Sequence, residues 1–296
     1  MGVRAGGWQQ PYNEVCDIMA PWDRSCGLEY FSQPPAPWCH DANPFLPWET
    51  GTCENELNQA IDAYKHKDYA TAIARFEKLA VKDYAPAQSN LGAMYAEGKG
   101  VEKDDQQAVY WWRKAAAEGD AKAVFNLALM YSDGRGVTRN DQQAAYWNRK
   151  AAYYGYAVAQ YNLGVMYALG TGVSKNDKQA VYWYRIAANS GNALAQYNLG
   201  VMYANGTGVP KDDEKAVYWY RKAANRGNAN AQYTLGAMYA EGAGVAKDEE
   251  QAYFWWLLSS AQGNQSAEKS RDAIEMRLSL QQQANARAGT HAWKPK

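Results

Sequence analysis

Residues 157–173, AVAQYNLGVMYALGTGV, and residues 180–188, AVYWYRIAA, decide the fold of this chain. In the first stretch Ala159, Leu163 and Met166 recur at spacings of four and three residues, which predicts a helix with one apolar side. The glycine-rich run at 170–173 ends that helix in a turn. The second stretch has the same helical spacing, so the two together predict a pair of antiparallel helices.

The whole pattern returns every 36 residues. Five units account for residues 85–264, which is 180 of the 296 positions, and self-similarity at such a period is typical of repeat proteins. Leucine and tryptophan hold the register in every unit: Leu91, Leu127, Leu163, Leu199 and Leu235, and Trp111, Trp147, Trp183, Trp219 and Trp255. We interpret the tryptophans as core residues because each lies at helical spacing from alanines on the apolar side of its own helix.

Polar residues at the starts of the helices fit this interpretation. Asn176 followed by Gln179 is a capping-box-like start for the second helix of its unit, and Asn192 is a cap for the next first helix. A single helix pair cannot bury its apolar sides alone, and stacked neighbours bury them. The sequence therefore predicts an all-α chain in which helix pairs pile into a right-handed superhelix with a concave and a convex surface.

The repeated residues resemble the Sel-one-like repeat family, a relative of the tetratricopeptide repeat with a longer loop in each unit. The resemblance covers 85–264 and implies a right-handed α/α superhelical solenoid. Residues 54–84 look like a tetratricopeptide-type lead-in helix pair, and residues 265–296 are expected to form capping helices and a tail. Proteins of this kind are mostly adaptors, so the resemblance implies a protein or peptide partner and no catalytic residue.

By analogy with tetratricopeptide arrays, one side of each first helix lines the concave groove. We expect an aromatic ladder beside amide side chains to hold an extended partner there. The alternative is that these residues only join one repeat to the next. The candidate partner-binding residues are Phe125, Tyr161, Tyr197, Tyr233, Asn126, Asn162 and Asn198.

Residues 1–53 differ from the rest of the chain. They hold seven of the ten prolines, four tryptophans and all four cysteines, and they carry a formal charge of −4 against +4 for the remainder. We expect an irregular extension, because its prolines interrupt helices. Its cysteines are disulfide candidates with three possible pairings: Cys16, Cys26, Cys39 and Cys53.

Disulfides would place the protein in the periplasm, at the cell surface or outside the cell. The alternative is a cytoplasmic adaptor whose thiols are reduced or hold a metal together with His40. The first residues lack the apolar core of a signal peptide, which counts against export.

Composition argues against several other functions. The 31 basic and 31 acidic side chains cancel, which disfavours nucleic-acid binding, and three histidines are too few for a histidine metal cluster. No apolar run is long enough to span a membrane, and no cofactor motif is present. A weak β-lactam hydrolase, as described for cysteine-rich secreted relatives, is the alternative: Ser266 and Lys269 match the Ser-x-x-Lys motif, but the companion motifs are missing.

Overall fold

A computed structural model describes residues 50–295, with side chains from Cys53 onward; this part of the chain contains fourteen α-helices and no β-strand. In chain order the helices are α1 (Thr50–Lys65), α2 (Tyr69–Ala80), α3 (Ala85–Glu97), α4 (Asp105–Ala117), α5 (Ala121–Asp133), α6 (Asp141–Tyr153), α7 (Ala157–Leu169), α8 (Asp177–Asn189), α9 (Ala193–Asn205), α10 (Asp213–Asn225), α11 (Ala229–Glu241), α12 (Glu249–Ser260), α13 (Gln265–Glu275) and α14 (Leu280–Ala292). The chain divides into two compact units between Glu54 and Asn55. Most of the predicted extension, 1–49, lies outside the described residues, and α1 begins four positions before residue 54.

The second unit is a solenoid of helix pairs. Helices α3 to α12 form five pairs, and each pair packs against the next through neighbouring helices. This arrangement confirms the predicted all-α, right-handed α/α solenoid.

The helix starts use the predicted caps. The side chain of Asn176 accepts a hydrogen bond from the main-chain N–H of Gln179, and Asn192 accepts one from Ala195. Asp212 has a lysine three positions later, where the other units have a glutamine, but it caps α10 in the same way. The cap needs only the main-chain N–H of that residue, Lys215.

Alanine and leucine form the centre of each repeat, and aromatic rings surround them. Three of the five repeated tryptophans are buried as predicted: Trp183, Trp219 and Trp255. Trp111 and Trp147 are half-buried instead, although their indole nitrogens are fully covered. They belong to the two repeats at the N-terminal end of the array.

A glycine in the first helix lets a ring from the second helix approach closely. At Gly200 a Cβ atom would lie 2.7 Å from Cδ1 of the Tyr220 ring, and at Gly164 it would lie 2.6 Å from the Tyr184 ring. The second repeat differs at both positions, with Ala128 in place of glycine and Asn148 in place of the ring. The smaller asparagine leaves room for the methyl group of that alanine.

Neighbouring repeats are also joined by polar contacts. Four glutamines in equivalent first-helix positions are buried, and each donates from Nε2 to a main-chain oxygen of the preceding helix at 2.9–3.1 Å. The donor–acceptor pairs are Gln88 with Ala80, Gln160 with Ala152, Gln196 with Ala188 and Gln232 with Ala224. The bond crosses from one helix pair to the next, so it fixes the relative position of the repeats.

The C-terminal helices close the array. Helix α13 packs on α12 as another first helix would, and α14 then turns back onto α12. A reciprocal capping box between Ser279 and Gln282 starts α14. Arg287 donates to the hydroxyl of the buried Tyr253 at 3.0 Å and pairs with Glu275. Together these contacts cover the last apolar side of the solenoid.

Candidate functional site

The first helices of the central repeats expose an apolar side. Val158, Asn162 and Leu169 of α7 lie on one side of the helix, because they are separated by four and seven residues. Val158 is 49% exposed and Leu169 is 71% exposed. Leu129 of α5 and Leu194 of α9 are exposed on the neighbouring helices. We call this outward side of α5, α7 and α9 the first-helix face.

The four predicted aromatic residues are next to this face, and each of them is half-buried. Three of the rings pack against a second ring in their own repeat. The pairs are Phe125 with Tyr156, with centroids 5.7 Å apart, Tyr161 with Tyr184 at 6.0 Å, and Tyr197 with Tyr220 at 5.7 Å. Tyr233 is held differently, since its main-chain oxygen accepts a hydrogen bond from the Trp256 indole at 3.0 Å.

The three predicted asparagines are half-buried as well. Asn162 donates to Oδ1 of Asn148 in the preceding repeat at 3.4 Å, and Asn198 bonds to the side chain of Tyr184, also in the preceding repeat. Asn126 occupies the equivalent position in α5. Two of these amides therefore use part of their hydrogen-bonding capacity between repeats.

The rings beneath the first-helix face are neutral. Burial raises the pKa of Tyr184 to about 12 and also raises the pKa of Tyr220 above its ordinary value. Neither α7 nor α9 contains a charged residue. The centre of this face therefore offers rings, aliphatic side chains and amides to a partner.

Sequence reasoning missed the exposed aliphatic residues of this face: Leu129, Val158, Leu169 and Leu194. A signal for them exists in α7, where apolar residues surround the helix although a surface helix needs only one apolar side. That excess indicates a helix whose outward side is apolar for a reason other than the core.

The sequence profile of the Sel1 repeat matches residues 85–120, 121–156, 157–192, 193–228 and 229–264. The chain belongs to the Sel1 repeat family. Members of this family generally act as protein–protein interaction modules and are mainly non-catalytic. Among curated proteins, no match to this chain was found.

Solved structures of Sel1 repeat proteins are similar to this one. A Sel1 repeat protein from Oxalobacter formigenes is 37% identical, with a TM-score of 0.66; the match covers 74% of this chain and 87% of that one. The protective antigen c5321, present in uropathogenic Escherichia coli strains, is 34% identical, with a TM-score of 0.57. That match covers 80% of this chain but only 60% of the antigen.

The other predicted sites are the cysteines and the Ser-x-x-Lys motif. Cys53 is buried in α1, whereas Cys16, Cys26 and Cys39 lie outside the described residues, so the predicted disulfides stay a prediction. Ser266 and Lys269 of the possible hydrolase motif are both exposed on α13.

The described part of this Sel1 repeat protein lacks two kinds of feature. Within residues 50–295 no helix is both long and apolar enough to cross a membrane. The same residues contain no group of three or more histidine, cysteine, aspartate or glutamate side chains placed to hold a metal ion.

Proposed function

We propose that this Sel1 repeat protein is a non-catalytic adaptor that binds a partner polypeptide along the first-helix face, on the concave side of the solenoid. The exposed, uncharged surface of α7 and α9 is the observation that carries the proposal. Leu169 and Leu194 offer apolar contact area, and the neighbouring Tyr161 and Tyr197 supply rings with a polar tip. Such a surface fits an extended segment with apolar side chains, whose main chain bonds to the amides.

The first test places charge on this face. In a crosslinking pull-down from native cells, the double variant Leu169→Asp/Leu194→Asp is expected to recover at least about tenfold less of the partner than the unmodified protein, because the carboxylates must be desolvated on binding. A matched control, Val81→Asp/Met276→Asp, changes two exposed apolar residues away from the face. Equal recovery by the two variants would contradict the proposal.

The second test addresses the aromatic ladder itself. Tyr161→Ala/Tyr197→Ala is expected to weaken binding of the same partner while the far-UV circular dichroism of the protein is retained. If helicity is lost instead, these tyrosines are structural and the face acts through its aliphatic residues.

We further propose that the protein works in the periplasm, at the cell surface or outside the cell, with its four cysteines in two disulfides. The confinement of all four cysteines to residues 1–53 supports this, and an oxidising compartment is where disulfides persist. The similarity to an antigen of uropathogenic Escherichia coli is consistent with an exported location.

A thiol titration of the protein, purified under thiol-blocking conditions and unfolded, tests this proposal. No free thiol is expected before reduction, and all four cysteines are expected to react after reduction. Four reactive thiols before reduction would instead favour the cytoplasmic alternative.

A further inference from the structure

The second helices carry a row of aromatic residues on their outward side. The row has one member in each repeat: Tyr110, Tyr146, Tyr182, Tyr218 and Phe254. Three of the tyrosines are 46–50% exposed. Each ring of the row meets the ring of the following tryptophan nearly at a right angle, with centroids 5.0–5.1 Å apart. This packing holds the exposed rings in fixed positions.

Basic side chains lie along the same row. Lys114, Lys150 and Lys222 each follow the aromatic residue by one helical turn, and their ammonium groups lie 4.8–5.6 Å from the centroids of the tyrosine and tryptophan rings. These are cation–π distances. An arginine precedes each of these lysines, and the third repeat has Arg185 at the same position. We call the rings and cations of α4, α6, α8 and α10 the second-helix face.

Within residues 53–295, carboxylates leave most of this positive charge unpaired. Of the seven lysines and arginines on the face, only Lys114 has a carboxylate within 4.0 Å among the described residues, that of Asp83 at 3.7 Å. Three of the arginines donate instead to tyrosine hydroxyls of the next repeat. By contrast, Lys175, Lys211 and Lys247 in the loops each pair with an acidic residue two positions later.

The fifth repeat shows what the same position looks like when polypeptide covers it. There the ring is Phe254, and Leu257 and Leu258 replace the arginine and the lysine. Helix α14 packs on this repeat so closely that a Cβ at Gly289 would lie 3.2 Å from the Phe254 ring. The covered position in the fifth repeat is thus apolar. The equivalent positions on α4, α6 and α10 instead combine a half-exposed ring with cations.

We propose that the second-helix face binds an acidic polypeptide segment in which carboxylates alternate with apolar side chains. The carboxylates would pair with the unpaired lysines and arginines, and the apolar side chains would cover the exposed parts of the tyrosine rings. Single-stranded nucleic acid would also supply negative charge, but its bases need open ring faces for stacking. Lysine ammonium groups already lie over these rings. This surface is separate from the first-helix face, so the inference goes beyond the proposed function and does not depend on it.

Fluorescence anisotropy with a labelled peptide of three Glu-Leu-Asp-Phe units and the purified full-length chain tests this proposal. The triple variant Lys114→Glu/Lys150→Glu/Lys222→Glu is expected to bind the peptide at least about tenfold more weakly than the unmodified protein, because it reverses three charges on the face. Far-UV circular dichroism checks that the variant is folded. If the variant is unfolded, the corresponding Lys→Gln triple variant is used instead, and it is expected to bind the peptide about threefold more weakly than the unmodified protein.

The matched control is Lys175→Glu/Lys211→Glu/Lys247→Glu, which changes the net charge equally but on the loop edge. It is expected to change peptide affinity by less than about twofold. An equal loss in both triple variants would overturn the proposal, since only net charge would then matter. Tighter binding of a poly-uridine RNA or of phosphatidylserine vesicles than of the peptide would also overturn it. The variant Leu169→Asp/Leu194→Asp is expected to bind the peptide normally; a loss there would assign the peptide to the first-helix face instead.

Discussion

Replacing Gly172 with alanine is expected to lower the free energy of unfolding by about 4 kcal/mol. Gly172 has a φ of +70°, where a side chain costs about 1–2 kcal/mol. Its missing side chain also faces the preceding repeat, because a Cβ atom there would overlap the main-chain carbonyl of Asp141 at the start of α6. A backbone carbonyl in the first turn of a helix cannot move aside without disturbing that helix, so the loop must shift away from its neighbour.

Gly155 provides the matched control for this experiment. Its φ is +83°, but a Cβ atom there would meet nothing within 4 Å. Gly155→Ala should therefore show only the conformational cost, about 1 kcal/mol. Guanidinium chloride unfolding followed by circular dichroism measures both variants, and amide hydrogen exchange at α6 locates the effect. Similar losses in the two variants would show that the contact with Asp141 contributes little.

Gly200→Ala is the variant with the second-largest expected effect on stability. Alanine favours a helix interior by about 1 kcal/mol over glycine, so without a contact the change would stabilise the protein. The added methyl group would lie 2.7 Å from the buried Tyr220 ring, and such overpacking costs about 1–3 kcal/mol. We therefore expect a net loss of up to about 2 kcal/mol in the same unfolding experiment.

The second repeat supplies the control, since it carries the natural pair Ala128 and Asn148. In a Tyr220→Asn background the ring is absent, and Gly200→Ala should then be neutral or stabilising by up to about 1 kcal/mol. A double-mutant cycle isolates this coupling. A cost for Gly200→Ala that is the same in both backgrounds would show that the ring is not the reason for the glycine.

The repeat period made most of the fold predictable. Leucine, tryptophan and glycine at a constant step of 36 indicated the helix pairs, and polar residues such as Asn176 and Asn192 indicated where helices begin. The ring of Trp147 was harder to place, because burial depends on which side chains from neighbouring repeats reach it. Sequence spacing along one helix does not contain that information.

The candidate surfaces were only partly predictable. The tyrosines next to the first-helix face stood out because they recur, and whether they contact a partner stays a prediction. Leu169 and Leu194 do not recur, so the repeat pattern passed over them, although the structure exposes both. The second-helix face was not predictable for another reason. In the sequence, Lys150 and Tyr146 look like residues of an ordinary solvated helix surface. Only the structure shows that Lys150 has no carboxylate partner among the described residues, whereas the lysines of the loops do.

The return of α14 onto α12 restricts how this protein can change its length in evolution. Each unit contacts mainly its neighbours, so duplication can insert whole units at internal boundaries such as that between Asp120 and Ala121. A unit added after Asn264 would have to displace α14 and would leave Phe254 without its cover. Shorter or longer homologues that keep this ending are therefore expected to gain and lose units within the array rather than at its C-terminal end.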